Sequence, residues 1–330
     1  MSAITIDGDL VHYEKLGRGR PVILVHGWLG SWRYWIPTMQ QLHLKYSVYT
    51  LDLVGFGDSA KNPAKYTIDK QVLLLNQFME QLGIPKAAMV GHGLGALVLT
   101  RFALAYPAKV ARMLLVSLPL YDPGDLKERT PAGTRVLLTT QSSMDTVVQS
   151  LQQVGAGAPK TAGSGDGAPG PEATVVPAQE PSISSRMAVN PLHDSFTSKN
   201  LMALLEKCFK KSDPIFDKLR VDVEKTDEKV LLNTVIGYSA SKFLDDVRSL
   251  ASPTVAVHGV DDPIIPVPGD DVWNYLTVER DDVFVPIPLG GVRHFPMLEY
   301  EPFTRLTNDF LETPEISKIE VRERWRRRSR

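Results

Sequence analysis

The residues best suited to chemistry appear first at positions 89–95, Met-Val-Gly-His-Gly-Leu-Gly. An apolar run precedes them and a helix-like pattern follows, which is the strand–turn–helix setting of the pattern G-x-S-x-G. In that setting two small residues let a helix approach a strand, and a nucleophile stands at the tip of the strained turn between them. Gly91 and Gly95 hold the small positions, and the tip is Gly93. Gly93 has no nucleophilic atom, so no acyl-enzyme can form on it. Glycine also avoids the roughly 1–3 kcal/mol that a serine would store in such a backbone. His92 carries a reactive ring, but the residue before the tip usually points elsewhere, so packing or turn hydrogen bonding is its expected role.

A turn of this kind needs a buried strand before it and a helix after it, and residues 1–120 supply an alternation of both. Ile4–Ile6 and Val11–Glu14 read as a hairpin around Asp7-Gly8-Asp9, and Pro21–His26 and Tyr46–Leu53 as buried strands. A helix is predicted over 69–82, closed by Gly83. Then come a strand at Ala87–Val90, a helix at Leu94–Tyr106 and a strand at Arg112–Ser117. The alternation stops after Leu118. Helix-like segments at 197–211 and 226–248 follow without buried strands, around a stretch at 155–181 dense in Gly, Pro and Ala. That stretch has too little apolar surface to offset its ordering entropy and reads as a disordered loop. Alternation resumes with strands at Thr254–His258 and Val283–Pro286 and helices at Val272–Val278 and Pro302–Leu311. The simplest parse is an α/β core over 1–119 and 251–313, a helical cap over 120–250, and a basic tail over 314–330.

Five motifs then occur in order: His26-Gly27-Trp28, Asp52-Leu53-Val54-Gly55-Phe56-Gly57-Asp58-Ser59, the segment 89–95, Gly259-Val260-Asp261-Asp262-Pro263, and Gly291-Val292-Arg293-His294-Phe295-Pro296. Each is weak alone. Together they make the chain resemble the α/β-hydrolase superfamily, in its capped lipase, esterase and epoxide-hydrolase-like branch, over most of 10–120 and 253–312. The resemblance implies a mainly parallel eight-stranded sheet flanked by helices, with an inserted helical cap. It implies His294 as general base, because imidazole exchanges protons near neutrality. It implies an aspartate that fixes the tautomer of His294: Asp262, just before Pro263, with Asp261 as the alternative. It also implies an oxyanion hole built from the main-chain N–H groups of Trp28 and Leu94, which glycine at 93 leaves intact. Against these stand plainer roles. His294 and Asp261-Asp262-Pro263 could be turn residues, Ser59 and Ser117 could satisfy backbone groups, and Trp28, Trp32, Trp35, Phe56 and Phe295 could line a pocket or fill the core.

Without the serine, three readings follow. A His294–Asp262 dyad could activate water, or abstract a proton from a small apolar carbonyl or ester compound, as a hydrolase- or lyase-like enzyme. The protein could instead be an inactive homologue that binds an apolar ligand or a protein partner. Or Gly93 could replace the nucleophile of an active serine hydrolase. Conventional serine esterase activity is not expected. No cofactor or metal is implied, and the single cysteine, Cys208, falls on an apolar helix face together with Leu201, Leu204 and Leu205. Net charge of −1 argues against nucleic acid as a partner. The first residues show no secretory pattern and no apolar run reaches about 18 residues, so a cytoplasmic location is expected. Residues 314–330 carry seven Lys or Arg against three Glu, with Ile316, Ile319, Val321 and Trp325 interleaved, a composition suited to peripheral contact with anionic lipid.

Overall fold

Apolar runs that bury both faces form the centre of a parallel sheet, because helices must then cover each face. In the computed structural model, which describes residues 2–126, 129, 190–197 and 200–319, these runs are β3 (Arg20–Val25), β4 (Tyr46–Leu51), β5 (Ala87–His92), β6 (Val110–Val116) and β7 (Thr254–Gly259). The hairpin β1 (Ser2–Ile6) and β2 (Asp9–Leu16) closes one edge, and β8 (Phe284–Leu289) forms the other. The order is β1-β2-β4-β3-β5-β6-β7-β8; β1, β2 and β4 pair antiparallel and all remaining pairs are parallel. Pro286 and Pro288 sit in β8, where an edge strand can spare amide donors. Strand β3 lies between β4 and β5, so the chain winds away from it in both directions. A crevice opens at such a switch point, outside the carboxyl ends of the strands.

The core helices are α1 (Ile36–Leu42), α2 (Ile68–Gln81) and α3 (Leu94–Ala105). The sequence reading misses α1, a seven-residue helix with Pro37 in its first turn, too short to show a period. Helix α3 is buried along nearly all of its length, because the sheet lies under it and other helices cover it. The cap contains α4 (Pro191–Thr197), α5 (Leu201–Cys208), α6 (Pro214–Glu224), α7 (Lys229–Val235) and α8 (Ala240–Arg248), and the core resumes with α9 (Asp270–Thr277) and α10 (Tyr300–Glu312) after β7. The helix expected over 226–248 is therefore two. Gly237 interrupts it, and the Ser239 side chain accepts from the Lys242 amide to start the second. The segment expected over 197–211 shortens to α5, capped by Asn200, and α4 before it is unforeseen. Helix α6 is unforeseen, although Asp213 caps it and Pro214 opens it.

Cys208 is buried, as its helix face requires. The Gly/Pro-rich stretch 155–181 lies outside the described residues. Of the basic tail, residues 314–319 pack onto the core, with Ile316 and Ile319 buried; residues 320–330 lie outside the description. Among the described residues no helix is long and apolar enough to cross a membrane.

Candidate active site

The turn at the end of β5 is built by steric exclusion. A Cβ on Gly95 would lie 2.3 Å from the Val25 carbonyl oxygen and 2.7 Å from that of His26, so α3 rests directly on the backbone of β3. A Cβ on Gly91 would meet the backbone of Gly95 at 2.8 Å. Between them Gly93 adopts φ 52°, ψ −108°, a conformation costly for any residue with a side chain. Its amide donates to the Val116 carbonyl at 2.9 Å, and its carbonyl accepts from Leu97 at 3.1 Å, so the tip is held on both sides. A Cβ on Gly93 would face the Trp28 indole, 3.3 and 3.4 Å from two ring carbons. That ring is fully buried; its Nε1–H donates to Thr234 Oγ1 of α7 at 2.9 Å, and it packs 4.5 Å from Phe196 of α4. Trp28 thus ties the loop after β3 to the cap.

His294 and Asp262 come together from the loops after β8 and β7. His294 Nδ1 lies 2.8 Å from Asp262 Oδ2, and the side chains are 1% and 0% exposed. The exposed Asp261 takes no part in this contact; only its amide is used, donating to the Val292 carbonyl. Three further donors reach the Asp262 carboxylate: Ser117 Oγ to Oδ2 at 2.8 Å, and the Ile264 and Ile265 amides to Oδ1 at 2.8 and 3.0 Å. Burial alone would raise the pKa of Asp262, but the neighbouring His294 and these donors outweigh it and hold the carboxyl at about 2. Asp262 is therefore ionised and accepts from His294 Nδ1–H, which in a neutral ring puts the lone pair on Nε2. That atom is buried and has no hydrogen-bond partner among the described residues.

Ser117 has a role that sequence does not signal. It occupies φ 48°, a strained conformation for serine, at the end of β6, and its hydroxyl aims at the carboxylate. Arg293 is a second unforeseen fixture. Its guanidinium donates to the Cys208 carbonyl at 2.7 Å and to that of Lys207, capping the end of α5 and fastening the His294 loop to the cap. His92 behaves as expected of packing. Its ring is fully buried, 4.6 Å from the His294 ring, and both of its nitrogens are paired. Burial, followed by the proximity of His294, pushes its pKa well below the usual imidazole value, so it stays neutral.

The remaining motifs are scaffolding. Asp52 accepts from the Trp32 and Asp58 amides at 2.8 and 2.9 Å, and Ser59 bridges the Asp52 carbonyl and the His12 amide. His26 donates from Nδ1 to the Gly27 carbonyl and accepts the Leu53 amide at Nε2. Phe56 packs on His26 and Trp35 on Phe303, whereas Phe295 packs on both His92 and His294.

Acid titration probes the carboxylate directly. The folded pKa of Asp262 lies below the ordinary value of about 3.9, so the unfolded chain binds more protons in between. Its contribution is present above about pH 4 and is lost as pH falls toward 2, on the order of 2 kcal/mol. Urea unfolding at pH 6 and pH 3 should show a larger loss of stability for the parent than for Asp262→Asn. Equal losses would mean that the carboxylate is not held as described.

Residues 20–156 match the α/β hydrolase fold family. That stretch contains Gly93 but ends before Asp262 and His294. The mouse protein bifunctional epoxide hydrolase 2 is 31% identical over 122 residues, 35% of this chain and 22% of that protein. The human (lyso)-N-acylphosphatidylethanolamine lipase is 34% identical over 101 residues, 29% of each chain. The chain's match thus spans less than a third of each relative. Among solved structures, a thermophilic esterase from Thermogutta terrifontis superposes with a TM-score of 0.61 at 18% identity, covering 94% of this chain and 98% of its own. The enol-lactonase from Burkholderia xenovorans LB400 gives 0.59 at 14% identity, over 94% and 99%. These likenesses carry the fold through the region of Asp262 and His294, where the sequence match is silent. Matched in sequence over residues 20–156 and in fold over nearly its whole length, the chain has the α/β-hydrolase fold.

Proposed function

We propose that this protein is a hydrolase-like enzyme that works through a His294–Asp262 dyad without a serine nucleophile, on a small apolar carbonyl or ester compound. One observation carries the reading. His294 Nε2 is buried and unpartnered while Nδ1 is committed to Asp262, which leaves a base with an empty acceptor position. A buried polar atom without a partner costs about 1–3 kcal/mol, and of the seven such side-chain atoms among the described residues Nε2 is the one whose ring is held by a carboxylate on its other nitrogen. In this mechanism Nε2 takes a proton from water, and the oxygen attacks the carbonyl carbon. The amides of Trp28 and Leu94 stabilise the resulting oxyanion. Collapse breaks the bond to the leaving group, which recovers the proton from His294. The same base could instead take a proton from a substrate carbon.

A second reading, an inactive homologue that binds an apolar ligand or a protein, is favoured by Trp28. Its indole borders the space beside Gly93 and is latched to the cap. One experiment separates the two: the purified protein and its His294→Ala variant are assayed on a panel of short acyl esters and lactones. Turnover by the parent that is lost in the variant supports the dyad. The expected acceleration is modest, about 10³–10⁴-fold over water, because no covalent intermediate forms. No turnover in either form, with ligand binding unchanged, sinks the enzymatic reading and leaves the binding one.

A further inference from the structure

Three stretches of sequence, 27–34, the turn at His92 and the loop at His294, meet in one hydrogen-bonded line beside the dyad. The Gly27 amide, just after β3, donates to Tyr34 Oη at 2.6 Å. Tyr34 Oη lies 3.0 Å from His92 Nδ1, and His92 Nε2 lies 2.9 Å from the His294 carbonyl oxygen. A carbonyl can only accept, so His92 Nε2 must carry the proton and Nδ1 must be the acceptor. Tyr34 then has a single arrangement: its oxygen accepts from Gly27 and its proton goes to His92. The polarity of the whole line is fixed by chemistry, from the turn that presents the Trp28 amide to the residue that carries the base. All of it is buried. Gly27 permits the contact, because a Cβ there would come within 2.9 Å of His92 Nδ1.

We infer that Tyr34 and His92 are positioning residues which lock the Gly27–Trp28 turn and the His294 loop into one rigid unit around Gly93. Neither touches the reacting atoms. They act on the dyad through the main chain of His294, whereas Asp262 acts through its side chain. Tight, satisfied networks of this kind fix geometry because every alternative leaves a buried group unpaired. Neutral His92 is essential to it: a second ring proton would make Nδ1 a donor and leave the Tyr34 O–H without its acceptor. The inference rests on the reading of His294–Asp262 as the working pair, but its test needs no substrate, so a protein that turns over nothing still decides it.

The test is NMR of the full-length protein with ¹⁵N-labelled histidine, read together with amide exchange. In the parent, His92 should be a single Nε2–H tautomer; an Nδ1–H tautomer overturns the line at once. Tyr34→Phe removes only one hydroxyl and should speed exchange of the Gly27 amide about tenfold. His92→Phe keeps a ring but no nitrogen. It should speed solvent exchange of the His294 Nδ1 proton by about tenfold. His92→Gln, whose amide can donate to the His294 carbonyl, should return that exchange to within about twofold of the parent. Tyr238→Phe is the control, since Tyr238 donates to the Pro119 carbonyl outside the line. It should lower stability without changing either exchange rate. If His92→Phe does not fold, the parent tautomer and Tyr34→Phe still decide the matter. Variants that lose stability while the Gly27 and His294 protons exchange as in the parent would reduce both residues to ordinary packing.

Discussion

Gly93→Ser should convert the protein into a covalent catalyst, releasing a burst of product from short aryl esters before a slower steady state. The other requirements of acyl transfer are independent of residue 93. His294 Nδ1 already lies against Asp262, its Nε2 has no partner among the described residues, and the donors proposed for the oxyanion are main-chain amides. Adding the one missing oxygen should raise ester turnover at least about 10²-fold over the parent, since a nucleophile and its base act as a unit. His294→Ala in the Gly93→Ser background should remove the gain. The same change should lower stability by about 1–3 kcal/mol, because serine must adopt φ 52°, ψ −108° and press on the Trp28 ring. If Gly93→Ser folds but shows neither turnover nor labelling by a fluorophosphonate, the arrangement of His294 around position 93 is not that of a base and its nucleophile.

Gly95→Ala should cost more than any other single methyl group in the turn, about 3 kcal/mol or more. The added carbon would meet the carbonyl oxygens of Val25 and His26 at 2.3 and 2.7 Å. Both are backbone atoms of the central strand, so no side chain can move aside and α3 itself must lift off the sheet. Gly83→Ala is the matched comparison. It also has a positive φ, 64°, but nothing lies within 4 Å of its Cβ, so only the conformational cost of about 1 kcal/mol applies. Denaturant unfolding of the two variants separates close packing from backbone strain. A Gly95→Ala loss no larger than that of Gly83→Ala would contradict the contact between α3 and β3.

What could be read in the sequence was local. The central strands announce themselves as apolar runs, the hairpin by its Asp7-Gly8-Asp9 turn, and the turn at 89–95 by glycines whose spacing serves a single steric purpose. Asp262 and His294 were legible through their order and neighbours, and the choice between Asp261 and Asp262 needed geometry. The cap was harder, since α4 to α8 are short and their caps (Asn200, Asp213, Ser239) divide patterns that periodicity alone would run together. The line from Gly27 through Tyr34 to His92 was invisible, because nothing within a few residues of Tyr34 marks its hydroxyl as buried between two other segments. Ser117 was recognised only as a hydroxyl near a strand end. Its partner, Asp262, is 145 residues away.

The four donors around Asp262 bear on how this site can drift under selection. Losing the aspartate would strand Ser117, the amides of Ile264 and Ile265 and His294 Nδ1, all in the interior. A lineage that no longer needed the reaction would still purge that change for its effect on folding alone. Position 93 is subject to the opposite pressure, since glycine relieves the strain that φ 52°, ψ −108° imposes on any other residue. The acid and the nucleophile of one site therefore decay at different rates. Asp262 is thus held in place by the demands of the fold whether or not His294 acts on a substrate.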